Sequence, residues 1–361
     1  MNRIGAPRTT ELVDSADFGE CARSHQGEVA ASSKWRPVAR FFSQAPMEFY
    51  GVYTAREVST ASKLQGALAG ASSEHQHDKY SLDLSRLANV RSIARTINKR
   101  VAEGSLPPIR ALILNAGYQE YTEQYFSENG LDMSFQCNYL SHWLLTLMLL
   151  QSLDKAHGRI IVLGSSTHDP NHPANDSIGM FKDKEWKILF HDTHSLAKGT
   201  WSSAREYSSS KSGFRRYGAG KLCEIMMIYE FQRRLDRDPV LANISVLGID
   251  PGGMPSGLTR RGSKGLVVAA TVVLPVIAPL LQWRNPNGGV RTTSKSAGDV
   301  LRTCFDSKSL GETPKALYLN GTEVTQPSLE ARDTAKQGML WRDSITYANL
   351  QQGETLLRDW A

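Results

Sequence analysis

Paired cysteines are missing from this chain: its four, Cys21, Cys137, Cys223 and Cys304, lie far apart, and no Cys-x-x-Cys occurs. That spacing offers neither a zinc site nor a disulfide framework, and Cys137 and Cys223 read as small core residues inside apolar helical patterns. A reducing interior fits, and the expected setting is intracellular and cytoplasmic, with the cytosolic face of a membrane open as an alternative. Runs of one charge are missing too. The formal net charge is +6, but basic residues are scattered, with only short pairs such as Arg260-Arg261. That argues against a nucleic-acid partner; the charge would rather serve a phosphorylated cofactor or an anionic membrane surface. No apolar core follows a basic start at the N-terminus, so no secretory leader is expected. No internal repeat is visible. Glycine is sparse where the chain begins: residues 1–46 hold only Gly5, Gly19 and Gly27, with no apolar strand before them.

What is present is a globular composition, 40% hydrophobic and 22% charged over 361 residues, enough for one large α/β domain with extensions. Residues 1–45 have no sustained period and are expected to be poorly ordered. From residue 46 the chain reads as alternating elements to its end at 361. Phe49–Thr54 is a predicted strand, 59–68 a helix, Tyr80–Leu84 a strand, 87–101 a helix, and Ile109–Leu114 a strand ending in Asn115-Ala116-Gly117. An apolar helix over 131–151 contains Asn138, and Arg159–Leu163 is a strand ending in Gly164-Ser165-Ser166. A polar insertion over 167–216 precedes a helix from Tyr217, a strand over 244–249, a last strand over 316–319 and a helix over 329–350. Strand, helix, strand, helix, strand is the order of an α/β doubly wound parallel sheet.

Tyr217-Gly218-Ala219-Gly220-Lys221 carries the most chemistry. Tyr and Lys four apart share one helix face, and an ammonium beside a phenol favours the phenolate, bringing an acid or base closer to neutral pH. A second copy, Tyr207-Ser208-Ser209-Ser210-Lys211, is followed by Ser212-Gly213 and Arg215-Arg216, a poor helix, and reads as surface loop. After Lys221, by contrast, Leu222, Ile225, Met226, Ile228 and Phe231 recur at helical spacing. The insertion holds His168, His172, His191 and His194 without tight ligand spacing, so no metal is assigned.

Leu114-Asn115-Ala116-Gly117, Asn138-Tyr139-Leu140-Ser141-His142, Arg159–Ser165, Tyr217–Lys221 and Asp250-Pro251-Gly252 occur in the order found in short-chain dehydrogenases/reductases, which the chain resembles over roughly residues 47–350. Leu340-Trp341-Arg342-Asp343-Ser344 is similar to the retinol-dehydrogenase and protochlorophyllide-reductase branch. The resemblance implies a Rossmann-like fold and a catalytic set of Asn138, Ser165, Tyr217 and Lys221. Tyr217 would exchange a proton with a carbonyl or alcohol oxygen, and Ser165 would hydrogen-bond that oxygen. Lys221 would lower the Tyr217 pKa and hold the nicotinamide ribose, while Asn138 would anchor a relay water. Asp83 would touch the adenine, and Asn115, Ala116, Gly117, Pro251, Gly252, Met254 and Ser256 would line the cofactor cleft. Arg56 either meets a 2′-phosphate, favouring NADP(H) over NAD(H), or is a surface-loop arginine. The implied reaction interconverts a ketone and a secondary alcohol on a lipophilic molecule of polyketide, terpenoid or steroid type, in a chain able to form homo-oligomers.

One family element is absent, the first strand with its Thr-Gly-x-x-x-Gly-x-Gly turn, which brings backbone N–H groups onto the pyrophosphate. The fold is therefore expected to miss or replace its first strand. Either the N-terminus is not the native one, or the chain is a catalytically silent binding protein. Farther on, residues 265–283 carry no charge, a run near the length that spans a bilayer core. Pro275 and Pro279 interrupt it, and Arg260, Arg261, Lys264 and Arg284 flank it. A monotopic membrane contact or a lid over a lipophilic substrate is expected, with a buried helix as the alternative.

Overall fold

The computed structural model describes residues 9–14, 49–71 and 73–361. Among the described residues eight strands form one sheet: β1 (Thr9–Asp14), β2 (Phe49–Ala55), β3 (His77–Ser81), β4 (Ile109–Leu114), β5 (Arg159–Leu163), β6 (Ser245–Asp250), β7 (Tyr318–Asn320) and β8 (Glu323–Thr325). Their order is β3-β2-β1-β4-β5-β6-β7-β8, parallel except for the final hairpin partner β8. The chain thus reverses direction across the sheet between β1 and β4, the place where α/β sheets open a crevice at their carboxyl edge.

Helices cover both faces because the strands alternate. Leu112 and Leu114 of β4 and Ile160 and Val162 of β5 enter one core, while Ala111, Ile113, Ile161 and Leu163 enter the other. The longer helices are α1 (Ser62–Ala69), α2 (Leu87–Ala102), α3 (133–149), α4 (Ser210–Arg237), α5 (Lys264–Arg284), α6 (Thr293–Phe305) and α7 (Thr334–Ala348). Residues of α2, α3 and α4 pack on the first face, and those of α1 and α6 on the second. The carboxyl end of the chain seals the first face: Trp341 of α7 meets Trp143 and Phe231 edge-on at 5.2 and 4.8 Å, and Ser344 lies 2.8 Å from the Tyr139 hydroxyl.

The structure corrects two sequence expectations and decides two that stood open. A strand does stand in the first-strand place: Thr9–Asp14 pairs with β2 on one side and β4 on the other. Thr-Thr-Glu-Leu-Val-Asp is short and half polar, so its pairing comes from two neighbours rather than from its own apolar content. The rest of the segment expected to be poorly ordered, and the connection 15–48 where a glycine turn would face the pyrophosphate, lie outside the described residues. The second predicted strand ends earlier, at Ser81, leaving Leu82 and Asp83 beyond it. Helix α4 begins at Ser210, so Lys211 to Arg216 are helical rather than loop. Tertiary partners hold that first turn and a half. Arg215 stacks 3.8 Å from the Trp186 ring and donates to Ser202 Oγ, and Arg216 donates to Ser202 O and Glu123 O. Finally, α5 is not a buried helix: 11% of its apolar window is buried.

Candidate active site

Three strand ends and one helix converge on a cavity of about 340 Å³ at the carboxyl edge of the sheet. Asn115, Ala116 and Gly117 follow β4, Ser165 follows β5, Asp250, Pro251, Gly252, Met254 and Ser256 follow β6, and Tyr217 and Lys221 enter from α4. All of them line the same space. Apolar side chains of Ile178, Phe214, Leu258, Ala270 and Leu274 complete the lining.

The two glycines between Tyr217 and Lys221 explain how α4 gets so close. A Cβ on Gly218 would lie 2.6 Å from the Thr167 carbonyl, and one on Gly220 would lie 2.9 Å from the Ser134 carbonyl. Both distances are closer than real Cβ atoms approach backbone. Without side chains there, the helix sits directly on the Ser165 turn and on α3. Ser165 caps that turn, its Oγ accepting from Thr167 N and Thr167 Oγ1 at 3.3 and 3.0 Å. The turn is tied from behind by His168, whose Nδ1 lies 2.6 Å from Ser165 O while its Nε2 accepts from Ser328 N at 3.1 Å. That pattern requires the Nδ1–H tautomer, and burial lowers the His168 pKa, so the ring is neutral.

Asn138 sits inside α3 where five residues, Gln136–Leu140, take a π turn. Such turns are frequent at functional sites because they displace a side chain and a carbonyl from the helical pattern. Its side chain is fully buried and exchanges two hydrogen bonds with Tyr118, accepting from N at 2.6 Å and donating to O at 2.9 Å. It therefore braces the strand end Asn115–Tyr118. The Asn138 carbonyl faces His142 Nδ1 at 3.1 Å, and Glu224 Oε1 lies 3.2 Å from the same nitrogen. Glu224 Oε2 in turn stands 2.6 Å from Lys221 Nζ, which also donates to Leu163 O at 2.8 Å.

Asn138, His142, Glu224, Lys221 and Leu163 thus form one buried chain of polar contacts from α3 through α4 to β5. Glu224 and His142 were not among the residues expected from the sequence. A signal was there: a carboxylate three residues after Lys221, inside Leu222-Cys223-Glu224-Ile225-Met226, is costly to bury unpaired.

This chain changes the expected electrostatics. Burial pushes the Tyr217 phenol well above its ordinary pKa, the carboxylates of Glu224 and Asp250 push it the same way, and the Ser165 hydroxyl opposes them. Lys221, expected to pull the phenol down, stands 5.8 Å from the ring centre with its charge matched by Glu224. Burial thus favours the protonated phenol.

Arg56 and Asp83 lie apart from the cavity lining and meet each other, Nε to Oδ2, at 3.5 Å. Asp83 also accepts from Ser85 N and Oγ, which starts the turn into α2. Among the described residues no group of three His, Cys, Asp or Glu is placed to hold a metal. The groups present suit the ribose and nicotinamide end of a dinucleotide: an ammonium, a phenol, backbone at two strand ends, and apolar side chains in the same lining.

A sequence profile of the short chain dehydrogenase family matches residues 41–174. Short-chain dehydrogenase iccH of Talaromyces variabilis is 49% identical over 331 residues, covering 86% of this chain and 91% of that protein. Human retinol dehydrogenase 13 is 25% identical over 286 residues, covering 79% of this chain and 72% of its own. Among solved structures, carbonyl reductase from chicken fatty liver superposes with a TM-score of 0.52 at 14% identity, over 88% of this chain and 98% of that one. That last likeness is one of fold.

Proposed function

The chain belongs to the short-chain dehydrogenase/reductase family of oxidoreductases, and from that premise we propose that it interconverts a ketone and a secondary alcohol on a lipophilic small molecule with NADP(H). The observation that carries this reading is the convergence of Ser165, Tyr217 and Lys221 on one cavity whose lining also includes Ile178, Phe214, Leu258, Ala270 and Leu274. A nicotinamide bound there would supply or accept the hydride.

In the reducing direction, the Tyr217 hydroxyl gives its proton to the carbonyl oxygen as negative charge develops on it. The Ser165 hydroxyl donates a hydrogen bond to that same oxygen, a contact strongest in the transition state. Lys221, fixed by Glu224 and the Leu163 carbonyl, holds the ribose edge and replenishes charge balance around the phenolate left behind. Asn138 keeps the Asn115–Tyr118 segment in place through its paired hydrogen bonds, so cofactor and substrate meet at fixed distance. Oxidation runs the same proton transfer backward. The apolar wall of Met254, Leu258, Ala270 and Leu274 suits a ring or chain without charge, of the polyketide, terpenoid or steroid kind. The preference for NADP(H) rests on Arg56, just past β2, where a guanidinium can pair with a 2′-phosphate in exchange for Asp83.

Tyr217→Phe tests the assignment. Removing the proton donor lowers kcat by about a hundredfold to ten-thousandfold while NADPH binding, read by fluorescence titration, stays near the parent value. Turnover that survives the change would sink the catalytic role of Tyr217. Absence of NADPH binding by the parent chain would instead favour a silent binding protein.

A further inference from the structure

We propose that α5 is an interfacial anchor that lays the mouth of the active-site cavity on an anionic lipid surface, so that substrate is taken from the bilayer. This rests on the oxidoreductase reading for the identity of the cavity, but the surface itself is read independently of it.

The helix has two unlike faces. Val267, Ala270, Leu274, Ala278 and Gln282, spaced three or four apart, turn inward as a narrow seam, and Ala270 and Leu274 of that seam line the cavity. The outer face is broad and apolar. Val276 is 76% exposed, Leu280 66% and Trp283 81%, with Val268, Val272 and Ile277 beside them. Patches of this kind, contiguous and uninterrupted by charge, mark interaction surfaces rather than ordinary solvent-facing helix.

Two observations favour lipid over a protein partner. First, the outer face has almost nothing to offer a directional contact. Its one hydroxyl, on Thr271, is spent on the Val267 carbonyl at 2.7 Å, whereas protein interfaces carry hydrogen bonds throughout. Second, charge around the helix has one sign. Between Asp250 and Asp299 the chain holds no acidic residue, yet it holds Arg260, Arg261, Lys264, Arg284, Arg291 and Lys295. Arg261 is engaged by Glu120 at 3.1 Å, which latches the start of the segment to the body, while Lys264 and Arg284 stand exposed at the two ends. With α5 lying in the plane of the surface, both basic ends stand at headgroup depth beside an uncharged, Trp-bearing face, as anionic lipid requires.

An in-plane position rather than a full crossing follows from how the helix is held. Pro275 and Pro279 each lack the N–H of an intrahelical hydrogen bond, and an in-plane helix keeps the carbonyls left over within reach of water and headgroups. The seam residues also tie the helix lengthwise to a domain whose sheet stands on one side of it. An in-plane position satisfies both conditions and sets the cavity wall against the lipid.

The test is flotation of the full-length protein with vesicles of phosphatidylcholine containing phosphatidylserine and with vesicles of phosphatidylcholine alone. The parent chain floats, better with the anionic vesicles. Val276→Glu combined with Leu280→Glu, neither of which lines the cavity, weakens binding about a hundredfold. Lys264→Gln and Arg284→Gln each reduce only the preference for anionic vesicles, by about fivefold. NADPH titration and thermal unfolding of each variant separate this proposal from the enzyme reading: flotation without NADPH binding keeps the anchor and removes the enzyme. No flotation with either vesicle overturns the proposal. A parent dimer by light scattering that the two Glu substitutions dissociate, without vesicle binding, assigns the face to a second copy and also overturns it. Resistance of the parent chain to carbonate extraction from membranes would make α5 a span and overturn the in-plane position.

Discussion

Replacing Glu224 by Gln keeps the shape of a fully buried side chain and removes its charge. Glu224 Oε2 is 2.6 Å from Lys221 Nζ, and that ammonium is 5.8 Å from the centre of the Tyr217 ring. With the carboxylate present, the phenol faces a nearly neutral pair and stays protonated, held up by burial first and by Glu224 second. Without it, the phenol faces an uncompensated ammonium. At an effective dielectric of about 20, a unit charge at that separation favours the phenolate by about 3 kcal/mol, and at twice that dielectric by about half as much. The pH midpoint of the Tyr217-dependent step should therefore move toward acid by about one to two pH units.

The sign is the same in both directions of reaction. Oxidation needs the phenolate as base, so its rising acid limb moves to lower pH. Reduction needs the phenol as acid, so its falling alkaline limb moves to lower pH as well. The assay is kcat/KM against pH with an apolar ketone and its alcohol as probes, for parent and Glu224→Gln, beside thermal unfolding of both. Some stability is lost, because removing one partner of a buried ion pair typically costs about 3–5 kcal/mol; the Gln carbonyl, still able to accept from His142, keeps the loss at the low end. An unchanged pH profile in a variant that still unfolds cooperatively would refute the reasoning.

Two further outcomes follow from the geometry. Arg56→Ala should weaken NADPH by about tenfold to a hundredfold, the value of a charge-assisted contact, and leave NADH within about twofold; equal losses for both would remove Arg56 from the 2′-phosphate site. Gly218→Ala should destabilise the fold by about 1–3 kcal/mol, because the added methyl would press on the Thr167 carbonyl, and calorimetry would record a drop of several degrees in Tm; an unchanged Tm would mean that α4 and the Ser165 turn are not packed this closely.

Sequence by itself determined the parts whose physics is local. Apolar runs such as Arg159–Leu163 and Ile109–Leu114, short, β-branched and ended by Gly-containing turns, read as buried strands, and their alternation with helical periods points to a parallel, doubly wound sheet. Because strands of such a sheet all end at one edge, the residues just past them, Asn115, Ser165 and Pro251, were bound to meet there, and Tyr217 and Lys221 followed from helical spacing. Tertiary structure alone decided the rest. Thr9–Asp14 becomes the central strand because two neighbours pair with it, and the first turns of α4 form because Trp186, Ser202 and Glu123 receive two arginines. The buried chain of polar contacts depends on Glu224 and His142 facing each other from different helices, a distance no spacing encodes. Whether 264–284 lies inside or outside was likewise open, since hydropathy measures only what a helix would bury, and the body of the protein covers just one seam of it.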